Sequence, residues 1–210
     1  MKYAIISHNI DYVTFLMNEY NIEIDLEYCG IYKNLESFLV YFDQTNDISQ
    51  CLVYSVMFNI PSLLDHFLSF DANINEKDKD VKTALYIAAW QNSKEMVELL
   101  ISHGANINEK DKDGETVLHF VTRKNSKEMV ELLISHGANV NEKGKDGETT
   151  LHIAARKNNK EMVELLISHG ANINEKDKDG ETVLHFVTRK NSKEMVELLI
   201  SHGANVNEKK

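Results

Sequence analysis

The chain has 210 residues, a hydrophobic content of 42% and a formal net charge of -10. Residues 1 to 70 carry two lysines against nine acidic residues, whereas residues 71 to 210 carry 21 basic against 24 acidic residues. This balance excludes nucleic acid as an expected partner, since binding it relies on Lys and Arg displacing counterions from phosphates. No signal peptide is recognisable and no apolar run approaches the ~18 residues of a membrane span, so we predict a cytoplasmic protein without a membrane span.

The amino-terminal third differs from the rest of the chain, because 13 of the 17 aromatic residues lie within residues 1 to 70. A first helical segment is predicted from Asn9 to Tyr20. Further along, four apolar residues follow the i, i+3, i+4, i+7 spacing of a helix inside an insertion of about 17 residues; they are Leu35, Phe38, Leu39 and Phe42. We therefore predict that residues 1 to 47 form a divergent helical cap with one inserted helix.

The two cysteines, Cys29 and Cys51, both lie in this third of the chain. Their separation matches no metal-binding spacing, and we expect a reduced pair because a repeat fold needs no disulfide. A degenerate repeat is predicted over residues 48 to 79. Its first helix would run from Cys51 to Phe58 and its second from Pro61 to Phe70, since proline is tolerated in a first helical turn.

The remainder of the chain is an internal repeat. Residues Lys94 to Lys143 recur letter for letter from Lys160 to Lys209, a shift of 66 positions (160 minus 94) that holds two copies of a 33-residue unit. Such a period is typical of stacked helical units that bury their apolar faces on one another. We predict four units, which cover residues 80–112, 113–145, 146–178 and 179–210.

One unit shows how each repeat is expected to fold. Asp113-Gly114 is a turn signal, and Thr116 can accept a free first-turn amide as the cap of a helix over residues 117 to 124. Asn125-Ser126 can cap a second, amphipathic helix, and Gly137 can end it in the left-handed conformation. The polar segment that follows is predicted to be an extended finger that connects one helix pair to the next.

These units resemble ankyrin repeats. The runs Thr116–His119, Thr149–His152 and Thr182–His185 are similar to the family's Thr-Pro-Leu-His signature, although no copy keeps the proline. The resemblance implies an all-α ankyrin-repeat solenoid. With residues Tyr28 to Asp47, which contain the run Asn-Leu-Glu-Ser-Phe-Leu-Val-Tyr-Phe-Asp, the whole chain resembles the expanded trichomonad-type ankyrin family, in which a domain of unknown function precedes the repeats. Members of that family usually have more protein on either side, which keeps open the interpretation that this chain is a fragment.

Histidines fall in two repeated columns, which are His119, His152 and His185, and His103, His136, His169 and His202. Equivalent positions in stacked units lie about 10 Å apart, whereas two nitrogens sharing a zinc ion must both lie about 2 Å from it. We therefore expect structural histidines, bonded at turns in the first column and at helix ends in the second. No metal, cofactor or catalytic residue is predicted, and the sequence contains none of the common enzyme motifs.

The resemblance implies a partner-binding face made of finger tips and first-helix positions. The matching positions are Lys79, Asp80, Lys82, Trp90 and Gln91; Lys112, Asp113, Glu115, Arg123 and Lys124; Lys145, Asp146, Glu148, Arg156 and Lys157; and Lys178, Asp179, Glu181, Arg189 and Lys190. Trp90 either anchors an interface, as tryptophan commonly does, or packs against the divergent cap. The sequence leaves both interpretations open.

Three functional hypotheses remain. The leading one is a scaffold that binds a protein or peptide through the concave face. The alternative is a spacer or a self-associating array, because the last unit has no polar cap and an uncapped stack exposes an apolar face. The third places enzymatic chemistry around Cys29 or His8, and no motif supports it.

Overall fold

The computed structural model describes residues 1 to 208; the last two residues of the final predicted unit, Lys209 and Lys210, lie outside the described residues. The chain divides into two compact units, Met1–Asn106 and Ile107–Lys210. Both are built from helices, and within residues 1 to 208 isolated β-bridges join Lys77 to Thr83 and Lys110 to Thr116. The prediction of an all-α repeat fold is confirmed.

The first unit contains short helices that follow one another closely. They are α1 (Lys2–Ile6), α2 (Ile10–Tyr20), α3 (Leu26–Ile31), α4 (Leu35–Thr45), α5 (Ile48–Ser55), a 3₁₀ turn (Val56–Phe58), α6 (Pro61–Leu68), α7 (Ala84–Trp90) and α8 (Lys94–Ser102). Most begin at a side chain that accepts a first-turn amide. In α2, for example, the Asn9 side chain accepts a hydrogen bond from the Tyr12 amide at 2.9 Å, which satisfies one of the free donors of the first turn.

The prediction of a single inserted helix is wrong, because both α3 and α4 lie between α2 and α5. Asp25 caps α3 by accepting the amides of Glu27 and Tyr28 at 3.0 and 3.3 Å. Asn34 caps α4 by accepting the Ser37 amide at 3.0 Å. Helix α3 is only six residues long, which is too short for a 3.6-residue period to be visible in the sequence.

The degenerate repeat is present with shifted helix ends. Helix α5 begins at Ile48, three residues before the predicted start, because the Asp47 side chain accepts the Gln50 amide at 3.1 Å. It ends at Ser55 and continues as the 3₁₀ turn, and α6 ends at Leu68 rather than at Phe70. The boundaries of the repeat units themselves stay predictions.

Aromatic rings fill the core of the first unit. Phe38 is fully buried, and its ring centre lies 5.0 Å from that of Phe58 and 5.8 Å from that of Phe67, both edge-to-face. Such pairs contribute about 0.5–1.5 kcal/mol beyond their buried area. Helix α3 approaches the 3₁₀ turn closely at Gly30, where a Cβ atom would lie 2.5 Å from the Met57 sulfur. Any larger residue at position 30 would therefore force the two segments apart.

The second unit stacks three further helix pairs. The helices are α9 (Val117–Lys124), α10 (Lys127–Ser135), α11 (Thr150–Arg156), α12 (Lys160–Ser168), α13 (Val183–Arg189) and α14 (Lys193–Ser201). Helix α11 packs between α9 and α13, and its Leu151 is fully buried, as is the equivalent Leu118. The bounds of α9 agree with those predicted from the sequence.

The fingers of the second unit are joined by a repeated hydrogen-bond pattern. Asn108 accepts the Asn139 amide at 2.8 Å through its side-chain oxygen, and Asn141 accepts the Asn172 amide at 2.7 Å in the same way. In addition, the Lys110 ammonium lies 2.7 Å from the Glu142 carboxylate of the next finger. These bonds hold successive fingers together through equivalent residues.

Candidate functional site

Finger tips of the second unit place the predicted lysine and aspartate positions in solvent. The residues Lys112, Asp113, Lys145, Asp146, Lys178 and Asp179 are all exposed. Neighbouring tips are tied through the backbone, since the Lys145 amide donates to the Asp113 carbonyl at 2.9 Å and the Lys178 amide donates to the Asp146 carbonyl at 3.0 Å. The Lys178 ammonium also pairs with the Asp146 carboxylate. The tips therefore form a continuous edge rather than independent loops.

Each tip turn is closed by an aspartate that precedes it. Asp111 accepts the amides of Asp113 and Glu115 at 2.9 and 3.0 Å through one carboxylate oxygen. The equivalent residue of the next finger is Gly144, which has no side chain to accept these bonds. Its backbone still closes the turn, because the Gly144 amide donates to the Glu148 carbonyl at 3.0 Å.

The glutamate and arginine rows of the predicted face pair with each other inside each unit. Glu115 pairs with Arg123, Glu148 with Arg156, and Glu181 with Arg189. In the last pair both arginine nitrogens bond the carboxylate, at 2.8 and 2.6 Å. A bidentate arginine is held in one orientation by such a pair. This pairing was not predicted from the sequence, although the constant spacing of eight residues between glutamate and arginine recurs in three units.

In each pair the acid is less exposed than the base. The glutamate side chains are 8–21% exposed, and the arginine side chains are 39–58% exposed. The lysines that follow, Lys124, Lys157 and Lys190, are exposed at the ends of the first helices. The outer surface of this face therefore presents guanidinium and ammonium groups, and the carboxylates that pair with the arginines are less accessible.

Two clefts lie between successive fingers. The first has a volume of about 300 Å³ and is lined by residues that include Glu115, Arg123 and Lys145. The second has a volume of about 320 Å³, and its lining includes Glu148, Lys178, Arg189 and Phe186. Both clefts therefore combine glutamate, lysine and arginine side chains, although the arginine of the second cleft comes from the next unit along the chain.

The first unit presents a different set of predicted site residues. Trp90, at the end of α7, is 49% exposed, and the neighbouring Gln91 donates from its side-chain nitrogen to the Met57 carbonyl at 2.9 Å. The Lys82 ammonium lies 3.7 Å from the Asp80 carboxylate. The remaining predicted residue, Lys79, points away from these and lies beside Asp25 and Glu27.

Both histidine columns make the structural bonds expected of them. His119 accepts the Thr116 amide at 3.2 Å through Nδ1, while its Nε2 lies 3.3 Å from the Glu148 carbonyl of the next unit. At the helix ends, Nδ1 of His103 lies 2.9 Å from the Leu99 carbonyl, and the other members of that column repeat the contact. Within residues 1 to 208, no group of three or more His, Cys, Asp or Glu side chains could hold a metal ion.

The candidate nucleophiles of the third hypothesis lie in unfavourable surroundings. Cys29 and Cys51 are free and buried, and burial raises the pKa of each thiol to about 12, with nearby Asp25 and Asp47 respectively adding to the shift. A reactive cysteine needs a lowered pKa and access to substrate. His8 bonds through Nε2 to the Tyr32 carbonyl at 3.1 Å, which is a further structural role.

The fold and these surfaces are those of a repeat protein that presents a ridged, charged face. The family model described as ankyrin repeats (3 copies) matches residues 52–144 and 138–210, which is well over half of the chain, and the chain belongs to this family. A second family, described as a domain of unknown function (DUF3447), matches residues 1–41. A search of curated proteins gives no match. Over residues 1 to 208 no helix is both long and apolar enough to cross a membrane.

Proposed function

We propose that this protein is a scaffold that binds a protein or peptide through its finger tips and first-helix ends, without a cofactor and without catalysis. Ankyrin repeats in general mediate protein–protein interaction. The observation that carries the proposal for this chain is the row of arginines that pair with less exposed glutamates, at Arg123, Arg156 and Arg189. Arginines held in one orientation lose little conformational entropy on binding, which favours recognition by a rigid surface.

Trp90 supplies the apolar anchor in this proposal. It occupies the arginine position of the first full unit, and Lys82 replaces the glutamate in the same unit, so both members of the ion pair are exchanged together. Large aromatic residues and arginine dominate binding energy at interfaces. Trp90 is half-exposed and can therefore contact an apolar side chain of a partner whose other contacts are charged.

Affinity capture from lysate tests the proposal with a combined variant. Wild-type protein is compared with a variant that carries Trp90→Ala, Arg123→Ala, Arg156→Ala and Arg189→Ala. The matched control removes three charges from the second helices through Lys127→Ala, Lys160→Ala and Lys193→Ala. Partners retained by the control and lost from the first variant would support the proposal. Equal capture by all three proteins, each with an unchanged melting temperature, would contradict it.

A second variant isolates the anchor. Lys82→Glu combined with Trp90→Arg converts the first full unit to the ion pair of the other three, so the fold should persist. Loss of the captured partner would then assign the interaction to Trp90 itself. Unchanged capture would assign it to the arginine row instead. Raising salt should weaken capture mainly by slowing association, since the outer charges are exposed.

Self-association is the second candidate function. In the last unit Val206 is 61% exposed, whereas the equivalent residues Val140 and Ile173 are 7% and 8% exposed. Ile200, at 46%, is a second exposed apolar residue of the last unit. Sedimentation over a range of concentrations tests this alternative. A strictly monomeric profile would dismiss it, and association abolished by Val206→Asp would support it.

The proposal places the protein in the cytoplasm and excludes nucleic acid as a partner. Two free, buried cysteines support a reducing compartment, because intracellular thiols are normally kept reduced. The exposed arginines are largely neutralised by their own glutamates. They would therefore release few counterions from a phosphate backbone, which is the main source of affinity for nucleic acid.

A further inference from the structure

A cavity in the first unit is lined by residues that all precede Lys94, where the segment that recurs letter for letter begins. It has a volume of about 360 Å³ and lies between the loop before α3, the helices α4 and α5, and the first finger. Its lining residues are Glu23, Ile24, Asp25, Leu26, Tyr41, Gln50, Tyr54 and Lys79. The volume falls within the range of small-ligand sites, about 300–1,000 Å³. The segment that matches the domain of unknown function supplies one wall and the repeats supply the other.

The two tyrosines of this cavity present acceptors rather than donors. The Tyr41 hydroxyl donates its hydrogen to Asp47 at 3.2 Å, and the Tyr54 hydroxyl donates to Asp78 at 3.4 Å. Each hydroxyl therefore has a lone pair left but no hydrogen to offer a ligand. Burial raises the pKa of Tyr41 to about 12, and Asp47 contributes in the same direction, so this phenol stays neutral at physiological pH.

Carboxylates give the cavity its charge. Glu23 and Asp25 belong to the lining, and Glu27 lies beside it. One oxygen of Asp25 caps α3, whereas the other lies 3.5 Å from the Lys79 ammonium. Burial raises the pKa of Tyr54 first of all, and the negative charges of Asp78, Glu27 and Asp25 raise it further. The cavity thus combines fixed negative charge with aromatic rings, which are the groups that attract an organic cation.

An ammonium group of the chain itself, that of the lining residue Lys79, already pairs with these carboxylates. The Lys79 ammonium lies 3.5 Å from an oxygen of Asp25 and 3.5 Å from an oxygen of Glu27. The Lys79 side chain is 60% exposed, and exposed ion pairs of this kind contribute little stability. A ligand with the same charge that also fills the cavity can therefore displace it.

We propose that this cavity binds an organic ammonium group, carried either by a lysine of a partner polypeptide or by a free alkylamine. Asp25 and Glu23 neutralise its charge, and Tyr41 and Tyr54 offer oxygen acceptors and ring faces. Lys79 acts as an internal competitor that must move aside. The proposed interaction through finger tips and first-helix ends rests on Trp90 and the arginines, which do not line the cavity, whereas Lys79, another of its predicted residues, does.

Nuclear magnetic resonance of ring-labelled tyrosine tests the proposal with n-butylammonium chloride as the probe. Saturable shifts of the Tyr41 and Tyr54 signals are expected, beyond those caused by equal concentrations of sodium chloride or of n-butanol, the neutral analogue. Asp25→Asn should weaken binding at least about tenfold, because a charge-assisted hydrogen bond is lost. Asparagine caps helices as well as aspartate does, so α3 should remain folded.

Two further variants make the test specific. Lys79→Met removes the competing ammonium and should tighten binding about two- to fivefold, in keeping with the small contribution of an exposed ion pair. The matched control is Lys178→Met, which breaks a finger-tip ion pair of the same kind with Asp146 and should leave the affinity unchanged. Equal tightening by both variants would mean that net charge alone attracts the probe, and the proposal would fail.

The source of the ammonium is resolved by comparing two further probes, spermidine and the peptide acetyl-Gly-Lys-Gly-amide. Peptide binding at least as tight as that of butylammonium would identify a lysine of a partner polypeptide. Binding of butylammonium and spermidine without the peptide would identify a free amine. Absence of a saturable shift with all three probes, in both the wild-type protein and Lys79→Met, would overturn the proposal.

Discussion

Replacing Gly144 by aspartate should stabilise the second unit. In the neighbouring fingers an aspartate at this position accepts two backbone amides: Asp111 does so at 2.9 and 3.0 Å, and Asp177 at 2.9 and 2.8 Å. The backbone at Gly144 already has the same closure, with its amide 3.0 Å from the Glu148 carbonyl. Gly144 is not among the glycines with positive φ, so an L-residue fits its conformation.

The expected change in the free energy of unfolding for Gly144→Asp is the sum of two favourable contributions and one cost. Two new hydrogen bonds contribute about 0.5–1.5 kcal/mol each, less some screening at an exposed tip. Replacing glycine adds about 0.4–1 kcal/mol through the unfolded chain. The cost arises because the new Cβ atom would lie 3.2 Å from Cγ of Glu115, which must shift slightly, and because another carboxylate joins an acidic tip. We expect a net gain of about 1–2 kcal/mol, and each kcal/mol raises the melting temperature of a chain of this size by about 2–4 °C.

Urea unfolding measures the gain, and amide hydrogen exchange locates it. The amides of Asp146 and Glu148 should exchange more slowly in Gly144→Asp than in the wild-type protein. Gly144→Ala is the matched control, because it supplies the Cβ atom and the backbone restriction without the carboxylate. Stability equal to that of Gly144→Ala would refute the hydrogen-bond argument. Gly147→Ala should instead destabilise, since φ there is +73° and a Cβ atom would lie 2.7 Å from the Lys178 amide nitrogen.

Stability should fall as the pH is lowered from about 7 to 5. Burial lowers the pKa of His119 and His152 below the ordinary value of 6.5, so these histidines bind protons at a higher pH in the unfolded chain than in the folded protein. The urea concentration at the unfolding midpoint should therefore fall as the pH is lowered. Replacing both histidines by glutamine should reduce this dependence on pH. Cys29 and Cys51, whose thiol pKa values burial raises to about 12, should react with a thiol reagent only on unfolding; rapid labelling of the native protein would revive the enzymatic hypothesis.

The sequence predicted the regular helices well because their ends are marked locally. Thr116 and Ser126 cap their helices where the sequence places them, and the bounds of α9 agree with the prediction. Such signals act over three or four residues and recur at a constant period, so both the cap and the repeat are readable without tertiary structure. The amino-terminal third has no such repetition, which is why a helix as short as α3 was missed.

The candidate site was predicted only in outline, because its side-chain pairing depends on tertiary placement. The twenty predicted partner-binding residues were chosen by their position in the repeat unit. Position alone gives no information on which charged side chains form ion pairs. The Glu–Arg pairs span eight residues and could have been found from their constant spacing. The contact of Lys79 with Asp25 could not have been found from any spacing, since it joins a repeat to the irregular segment and occurs once.

Repetition limits what the second unit can recognise on its own. The 50 residues from Lys94 to Lys143 and from Lys160 to Lys209 are identical, so partners that contact only those residues meet the same side chains twice. Specificity is a difference in affinity between partners and requires groups that one partner satisfies and another does not. Groups outside the identical segments include Trp90 and the cavity lined by Tyr41 and Tyr54, and both lie in the first unit. We therefore expect the ordered arginine rows to contribute affinity and salt dependence, and the first unit to decide which partner is bound.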